Sequence, residues 1–226
     1  MPRRVEIAAG LELTGDGAAW VHAAGALVIA DVPLAYARAA RRRGGWLPAG
    51  ERADAAAMRA LAIARSLGAR HVVIAGDLRH STRDADDAEH AEARVFLRAL
   101  ASAARTTLVP GNHDRGADAY ADTGAEVLAR GASLDLGDAV VTHEPPADAP
   151  ARWTVCGHLH PATVVRDETG AGARYPCALV GPRVVVLPAF GEWAGGVTGG
   201  RLRRALFGGE WREYPLAGGE VWPPRA

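Results

Sequence analysis

Short apolar runs recur along the first two thirds of the chain, and each ends abruptly in glycine, proline, aspartate or histidine. Runs of about four to six residues that are rich in β-branched side chains are typical of buried strands. The sequence predicts such strands at 26–30, 71–75, 106–109, 139–142 and 153–156. Helical spacing of apolar positions predicts helices over Ala53–Leu67, which Gly68 ends, and over Asp87–Ala103. Strand–helix–strand alternation of this kind indicates parallel βαβ units.

Weaker patterns toward both ends of the chain predict further short strands, separated by glycine and proline. The predicted ranges are 5–8, 11–14, 18–22, 162–166, 177–180, 183–187, 202–207 and 212–214. No linker, repeat or low-complexity segment interrupts the pattern. We therefore expect residues 1–226 to form a single domain.

Charge and composition narrow the class of protein. The 26 basic and 26 acidic residues cancel, which argues against a surface built to coat nucleic acid or to bind membrane lipids. The longest apolar stretch, residues 23–30, falls far short of the ~20 residues that a spanning helix needs, and the N-terminus lacks the pattern of a secretory signal. Cys156 and Cys177 form neither a disulfide framework nor a metal motif. We expect a cytoplasmic protein with no membrane association.

Five of the predicted strands are followed by a side chain that can bind a metal ion. These side chains are Asp31, Asp77, Asn112, His143 and His158. In open α/β sheets the binding crevice lies outside the carboxyl ends of the strands, so these residues are expected to converge at one edge. Each residue alone is typical of a turn or a helix cap, but five together predict a site. Asn112, the only asparagine of the chain, lies within this set.

Aspartate, asparagine and histidine together suit Mn²⁺, Fe or Zn²⁺ better than Ca²⁺ or an iron–sulfur centre. Two such ions ~3.5–4 Å apart, bridged by a carboxylate, are the usual arrangement for hydrolysis of phosphate esters. They lower the pKa of a shared water and neutralise charge on the phosphoryl oxygens. A histidine beside the ions can then protonate the leaving group.

These motifs resemble, in order, those of the calcineurin-like metallophosphoesterase superfamily. The blocks that carry the resemblance are Asp31, Gly76-Asp77, Gly111-Asn112-His113-Asp114, His143 and Gly157-His158-Leu159-His160. Residues 76–81 and 176–191 are similar to the subgroup labelled ICC-like or DNA-ligase-associated. The resemblance implies an α/β fold, a four-layer α/β/β/α sandwich of two mostly mixed β-sheets with the metals at one edge.

The resemblance also implies a role for each residue of the motifs. Asp77 would bridge two divalent ions, and His113 would lie over the phosphate and protonate the leaving group. The remaining ligands would be Asn112, His143 and His158 for one ion, and Asp31 and His160 for the other. The implied activity is that of a metal-dependent phosphoesterase, with Mn²⁺ favoured and Fe or Zn²⁺ as alternatives. Hydrolysis of diesters by a metal-activated hydroxide is favoured over hydrolysis of monoesters.

One position departs from the family pattern. The first block of the family is Asp-x-His, whereas this chain has Asp31-Val32-Pro33, and proline offers no ligand atom. We expect the first site, left with Asp31, Asp77 and His160, to bind its ion more weakly than the second site. The alternative is a non-catalytic or weakly active relative that binds metal, phosphate or a partner protein.

His80 either replaces the missing ligand or, as we favour, packs near the mouth of the site. We interpret the Arg41–Arg43 run as an exposed helix end rather than a phosphate site. The other histidines outside the motifs are interpreted as structural: His22, His71 and His90. The substrate is left open among a nucleotide, a cyclic nucleotide and a nucleic-acid end, and association into a homo-oligomer is also left open.

Overall fold

The chain forms two mixed β-sheets that pack face to face, with helices on the outside, in a computed structural model. The structure describes residues 1, 3–42, 44–46, 51–81, 87–191, 196–199, 202 and 205–224. The α/β sandwich expected from the sequence is confirmed.

The first sheet contains seven strands that lie side by side in chain order. They are β1 (Arg4–Ala8), β2 (Leu11–Thr14), β3 (Ala19–Val21), β4 (Ala26–Ala30), β5 (His71–Ala75), β6 (Arg105–Val109) and β7 (Glu126–Val127). Strands β1 to β4 are antiparallel neighbours, whereas β4 to β7 are parallel. The connections hold α1 (Tyr36–Arg42), α2 (Ala53–Leu67), α3 (Asp87–Ala101) and a 3-10 helix at Ala117–Thr123.

The second sheet contains eight strands. They are β8 (Leu134–Asp135), β9 (Ala139–Val141), β10 (Trp153–Cys156), β11 (Ala162–Arg166), β12 (Gly172–Gly181), β13 (Val184–Val186), β14 (Arg212–Ala217) and β15 (Glu220–Val221). Their order in the sheet is β15-β14-β12-β13-β10-β9-β8, and β11 pairs with β12 at the side. Strands β9, β10 and β13 are parallel to one another.

Burial on both faces explains why β4, in the middle of the first sheet, is apolar at every position. In β4, Leu27 and Ile29 pack against α2 and α3, whereas Val28 and its small neighbours Ala26 and Ala30 face the second sheet. Alternate side chains of a strand point to opposite faces, so a strand between two apolar layers cannot alternate with polar residues. The outer face of the second sheet is covered by a third apolar cluster, which includes Cys156, Cys177, Leu202 and Trp211.

Most of the predicted elements are confirmed, and one is wrong. Helix α2 has the predicted bounds and ends at Gly68 in the left-handed conformation, and α3 ends at Ala101, slightly before the predicted end. The predicted strand at 202–207 is absent from its described part, because Leu202 is helical and 205–207 contain turns; residues 203–204 lie outside the described part. The apolar side chains of this segment cover the second sheet from outside. No helix within the described ranges is long and apolar enough to cross a bilayer.

Candidate metal centre

The carboxyl ends of parallel strands from both sheets meet at one edge of the sandwich. Asp31, Asp77 and Asn112 follow β4, β5 and β6 of the first sheet. His143 follows β9 of the second sheet, and His158 and His160 follow β10. The fold therefore brings together all six residues that the sequence analysis named as metal ligands.

The ligand atoms fall into two groups that share one carboxylate. Asp77, His143 and His158 form one group, and Asp31, Asp77 and His160 form the other. Within each group the atoms that would bind an ion lie within 4.8 Å of one another. Two adjacent positions for a cation thus exist, with Asp77 between them.

Three ligand atoms form a nearly equilateral triangle. His143 Nε2 is 3.0 Å from Asn112 Oδ1, and His158 Nδ1 is 3.1 Å from both of these atoms. Neighbouring ligands of an octahedral ion at about 2.1 Å lie about 3.0 Å apart, so the triangle has the dimensions of one face of such a site.

Backbone contacts fix the orientation of these side chains. The Ala75 carbonyl oxygen lies 3.1 Å from His143 Nδ1 and can only accept, so Nδ1–H donates and the Nε2 lone pair points into the triangle. The backbone N–H of His158 donates to Asp31 Oδ2 at 2.7 Å, and that of His113 donates to Asp77 Oδ1 at 3.0 Å. Contacts of this kind fix the orientation of metal-binding side chains and the tautomer of metal-binding histidines.

Burial and, second, the neighbouring His143 lower the pKa of His158. A lowered pKa favours the neutral imidazole, which is the form that binds a metal.

The unpaired oxygen of Asp31 provides a direct test of whether these residues fit a cation. Asp31 is completely buried, and its Oδ1 has no hydrogen-bond partner; His143 Nδ1 lies 3.8 Å from this oxygen. A buried carboxylate oxygen without a partner is costly, unless a cation binds there. The oxygen and imidazole donors of the set suit Mn²⁺, Fe or Zn²⁺. The residues therefore fit a pair of divalent ions.

The backbone of the ligand residues is strained. Six non-glycine residues in the described part of the chain have a positive φ, and four of them belong to the candidate ligand groups: Asp31 at 51°, Asp77 at 50°, His158 at 71° and His160 at 45°. A left-handed conformation costs a non-glycine residue roughly 1–2 kcal/mol. Such strain persists where the surrounding structure enforces it, which is common at functional sites.

The glycines of the motifs leave room for the ligands. A Cβ atom at Gly111 would lie 2.2 Å from Asp77 Oδ1, and one at Gly157 would lie 2.5 Å from Asp31 Oδ2. Both distances are far below van der Waals contact. Any side chain at these positions would displace a carboxylate of the site.

His113 lies beside the shared carboxylate with one ring nitrogen anchored. Its Nδ1 is 2.7 Å from the carbonyl oxygen of His80, so Nδ1–H donates to that carbonyl. Its Nε2 is 3.7 Å from Asp77 Oδ2, and about a quarter of the side chain is exposed. The second ring nitrogen is thus the one that faces the metal positions and can exchange a proton.

Two buried charged residues, which the sequence analysis did not assign, tie together the loops after β5 and β6. Asp114 accepts hydrogen bonds from the backbone N–H groups of Leu78 and Gly111, both at 3.0 Å. Arg79 Nη2 donates to the carbonyl oxygens of His113, at 2.5 Å, and Arg115, at 2.7 Å. Burial raises the pKa of Asp114. Both residues lie inside the motif blocks of the sequence, and this position next to the candidate ligands is the sequence feature that could have identified them as supports of the site.

Pro33 and His80 belong to neither ligand group within the described residues. Pro33 lines a cavity of about 380 Å³ that none of the candidate metal ligands lines, together with Leu34, Tyr36 and several charged residues. The His80 ring packs edge-on against Tyr36, with 4.6 Å between the ring centroids. This contact favours the packing interpretation of His80 over replacement of the missing ligand.

The other histidines contact protein groups away from the ligand groups. His22 pairs with Glu12 at 3.2 Å, His71 Nε2 with Thr107 Oγ1 at 2.8 Å, and His90 Nδ1 with the Tyr120 hydroxyl at 3.0 Å. Arg41 and Arg42 are exposed at the end of α1, and Arg43 lies outside the described residues.

Comparison with known proteins supports the fold. No protein-family model and no curated protein matches the chain. The crystal structure of Pseudomonas putida nuclease MPE is similar to the chain, with 27% identity, 98% of each chain covered and a TM-score of 0.71. Two further structures have TM-scores below 0.5, too low to support an argument. The Escherichia coli phosphoesterase YfcE has 16% identity and a TM-score of 0.45, with 89% of this chain and 98% of the other covered. The Aquifex aeolicus protein AQ665, of unknown function, has 15% identity and a TM-score of 0.40, with 60% of this chain and 78% of the other covered. The chain therefore has a metallophosphoesterase-like sandwich fold with candidate metal-ligand clusters at its edge.

Proposed function

We propose that the chain is a divalent-metal-dependent phosphodiesterase. The observation that carries the proposal is the pair of ligand groups that share Asp77, one of them completed by the triangle with Asn112. In this assignment Asp77 would serve as a ligand in both groups. Asn112, His143 and His158 would hold one ion, and Asp31 and His160 would hold the other.

Bound ions would neutralise charge on the phosphoryl oxygens and lower the pKa of a water molecule. The residues of the chain perform the remaining steps. The carboxylates of Asp31 and Asp77 balance the charge of the ions, and the Ala75 carbonyl keeps His143 in the tautomer that presents its Nε2 lone pair. His113, protonated on both ring nitrogens, donates the Nε2 proton to the leaving oxygen while Nδ1–H stays bonded to the His80 carbonyl.

Similarity to the nuclease MPE of Pseudomonas putida supports diesters over monoesters as the substrates. The similarity covers nearly the whole of both chains. Nucleases hydrolyse the phosphodiester links of nucleic acids, so a diester is the chemical class that the comparison favours.

The first test follows hydrolysis of bis(p-nitrophenyl) phosphate by metal-stripped protein during a Mn²⁺ titration. Turnover should rise with Mn²⁺. A folded protein that shows no turnover with Mn²⁺, Fe²⁺ or Zn²⁺ toward this diester and a dinucleotide would overturn the proposal and support the non-catalytic alternative.

The role of His113 is tested by comparing two leaving groups. Nitrophenolate leaves without help from an acid, whereas the sugar alkoxide of a dinucleotide needs a proton. His113→Ala should therefore slow dinucleotide hydrolysis by about 10²–10⁴-fold and slow release of nitrophenol much less. An equal loss on both substrates would contradict the role as acid and indicate a structural effect. His22→Ala, a change at an exposed histidine that pairs with Glu12 at the opposite end of β4 from the site, is the matched control.

The proposed sites should fill unequally, because Pro33 removes a ligand from the first of them. Isothermal titration of metal-stripped protein with Mn²⁺ should resolve a tight ion and a weaker ion. Asn112→Ala should weaken the tight ion, whereas His160→Ala should weaken the other. Two ions of equal affinity would contradict the unequal-site hypothesis without affecting the proposed activity.

A further inference from the structure

The segment that follows β13 lies against the loop that carries Asp31. The backbone N–H of Phe190 donates to the carbonyl oxygen of Ala30 at 2.8 Å, and that of Gly191 donates to the carbonyl oxygen of Asp31 at 3.2 Å. Pro33 lies so close that a Cβ atom at Gly191 would be 2.8 Å from its Cδ atom. The two peptide groups that flank the α-carbon of Asp31 are therefore both hydrogen-bonded to this segment.

Asp31 depends on this support more than most residues do. Its φ of 51° is a conformation that non-glycine residues keep only where the surrounding structure enforces it. Its carboxylate is completely buried, and Oδ1 has no hydrogen-bond partner that would fix its direction. The orientation of this proposed metal ligand is therefore set largely by its backbone.

Arg59, on α2, holds the segment in place. Its Nη2 donates to the carbonyl oxygen of Phe190 at 2.8 Å, and its guanidinium carbon lies 3.7 Å from the centroid of the Phe190 ring. Its Nε and Nη2 also donate to the two carboxylate oxygens of Glu51, at 3.0 and 2.8 Å. A bidentate carboxylate and a stacked ring together restrict a guanidinium to one orientation.

One peptide group makes both the contact with Arg59 and the contact with Asp31. The carbonyl of Phe190 and the N–H of Gly191 belong to the same planar unit. A charged donor that fixes the carbonyl end therefore also fixes the direction of the N–H. Accepting this bond polarises the peptide group, which strengthens the hydrogen bond that its N–H donates. A continuous chain of hydrogen bonds thus runs from α2 to the backbone of Asp31.

We propose that Arg59 is a positioning residue for the ion assigned to Asp31 and His160. It acts through the peptide group between Phe190 and Gly191, which keeps Asp31 in the backbone conformation that directs its carboxylate to the ion. This inference rests on the proposed function, because it concerns one of the two ions assigned there.

The contact itself is tested by hydrogen exchange in metal-stripped protein. Arg59→Met keeps an unbranched stem but has no donor for the carbonyl of Phe190. It should speed exchange of the Gly191 amide at least about tenfold, because the peptide loses a charged partner at its other end. Arg65→Met removes an equal charge from an exposed position in the last turn of α2, at the end of the helix away from the metals. This control should leave the amide unchanged, and unchanged exchange in folded Arg59→Met would overturn the proposal.

Calorimetric titration with Mn²⁺ separates positioning from charge. Arg59→Met removes a positive charge, so a purely Coulombic effect would tighten the binding of a cation. Loss of positioning should instead raise the Kd of the weaker ion, at Asp31 and His160, about tenfold and leave the tighter ion, at Asn112, within about twofold. Arg65→Met should change neither value. A weaker ion that binds as in the parent or more tightly, or an equal loss at both ions, would overturn the proposal.

Arg59→Lys is the second variant, for the case in which Arg59→Met does not fold. It keeps the positive charge, so charge alone predicts unchanged Mn²⁺ affinity. An ammonium lacks the planar fork that contacts Glu51 and Phe190 together, so the Kd of the weaker ion should still rise at least about threefold. Urea unfolding identifies the folded variants. Parent-like affinity for both ions in a folded Arg59→Lys protein would overturn the positioning role.

Metal binding also separates this inference from the proposed function. If the parent binds two ions and the Arg59 variants bind both as the parent does, the positioning role fails alone. If the parent binds no Mn²⁺, the proposed function fails and the positioning role fails with it, whatever the exchange rate of the Gly191 amide.

Discussion

At the scale of single residues, Gly76 shows how closely the backbone approaches the ligands. It has a φ of +80°, and a Cβ atom there would lie 2.0 Å from His143 Nδ1. Gly76→Ala should displace the His143 ring and raise the Kd for Mn²⁺ at least about tenfold, since ligand geometry fixes the ion.

Gly68 provides a matched control for this substitution. It has a similar φ of +70°, and a Cβ atom there would have nothing within 4 Å. Gly68→Ala should therefore cost only the backbone strain, roughly 1–2 kcal/mol of unfolding free energy, and leave Mn²⁺ affinity unchanged. Calorimetric titration and urea unfolding measure both effects. Equal Mn²⁺ affinity in the two variants would show that the close approach at Gly76 has no role.

The sequence was enough to select the residues that the fold brings together in the two candidate ligand groups, but not the contacts that support them. Asp31, Asp77 and His158 stand at the ends of readable strands, and ligand chemistry depends on residue type. The role of Asp114 depends on backbone N–H groups of a loop that is distant in sequence. The pattern of side chains along the sequence does not show which backbone N–H groups will donate hydrogen bonds to a buried carboxylate.

At the scale of elements, Asp114 joins the loops after β5 and β6, and its removal should loosen both. Asp114→Ala leaves the buried N–H groups of Leu78 and Gly111 without their acceptor, at a cost of roughly 1–3 kcal/mol each. The unfolding free energy should fall by about 2–6 kcal/mol, twice the cost of one unsatisfied N–H group, and Mn²⁺ affinity should fall with it.

Asp114→Asn is the informative companion to this change. Its single amide oxygen can still accept from one of the two N–H groups, so the loss of stability should be smaller than in Asp114→Ala. Urea unfolding and calorimetry test both variants. A variant Asp114→Ala that is as stable as the parent would contradict the role of the carboxylate as a tie between the loops.

His71, at the first residue of β5, should make stability depend on pH. Burial and, second, the positive Arg105 lower the pKa of His71 in the folded chain. The unfolded chain, with a pKa of about 6.5, therefore binds more protons below that pH. This contribution to stability is complete above pH of about 6.5 and is lost as the pH falls from there through the folded pKa.

His71→Gln keeps a polar partner for Thr107 and removes the titrating group. In metal-stripped protein the fall of unfolding free energy below pH of about 6.5 should become shallower by at most about 1.4 kcal/mol per pH unit. Other histidines with lowered pKa values, His90 and His158, are present in both proteins and cancel in the comparison. Identical pH profiles for parent and variant would contradict this assignment.

The long elements could be predicted from the sequence, and the shortest ones could not. Helix α2 has a strong apolar face and a glycine at its end, so its pattern is unambiguous. Strands β7, β8 and β15 have two residues each, too few to show any period. At 202–207 an apolar pattern predicted a strand, although Leu202 is helical and packs on the second sheet. Over six residues an apolar run is too short to show whether its period is that of a strand or that of a helix.

At the scale of the whole molecule, the proposed ions connect the two sheets. Asp31, Asp77 and Asn112 extend from the first sheet, whereas His143 and His158 extend from the second. An ion held by ligands from both sheets stabilises their packed state and binds the unfolded chain much less. Metal binding should therefore be coupled to the stability of the sandwich as a whole.

Mn²⁺ should consequently raise the melting temperature, and chelator should lower it. At a free Mn²⁺ concentration of about 100 times Kd the expected stabilisation is about 2.7 kcal/mol, or roughly 5–10 °C for a chain of this length. Mg²⁺ should have a smaller effect, because the imidazole ligands suit Mn²⁺ better. His143→Ala removes a proposed second-sheet ligand and should abolish most of the shift, whereas His22→Ala, at the opposite end of β4 from the site, should retain it. Calorimetric scans with each ion test the coupling. A melting temperature that is independent of Mn²⁺ in the parent would contradict it, because both sheets contribute ligands and unfolding must separate them.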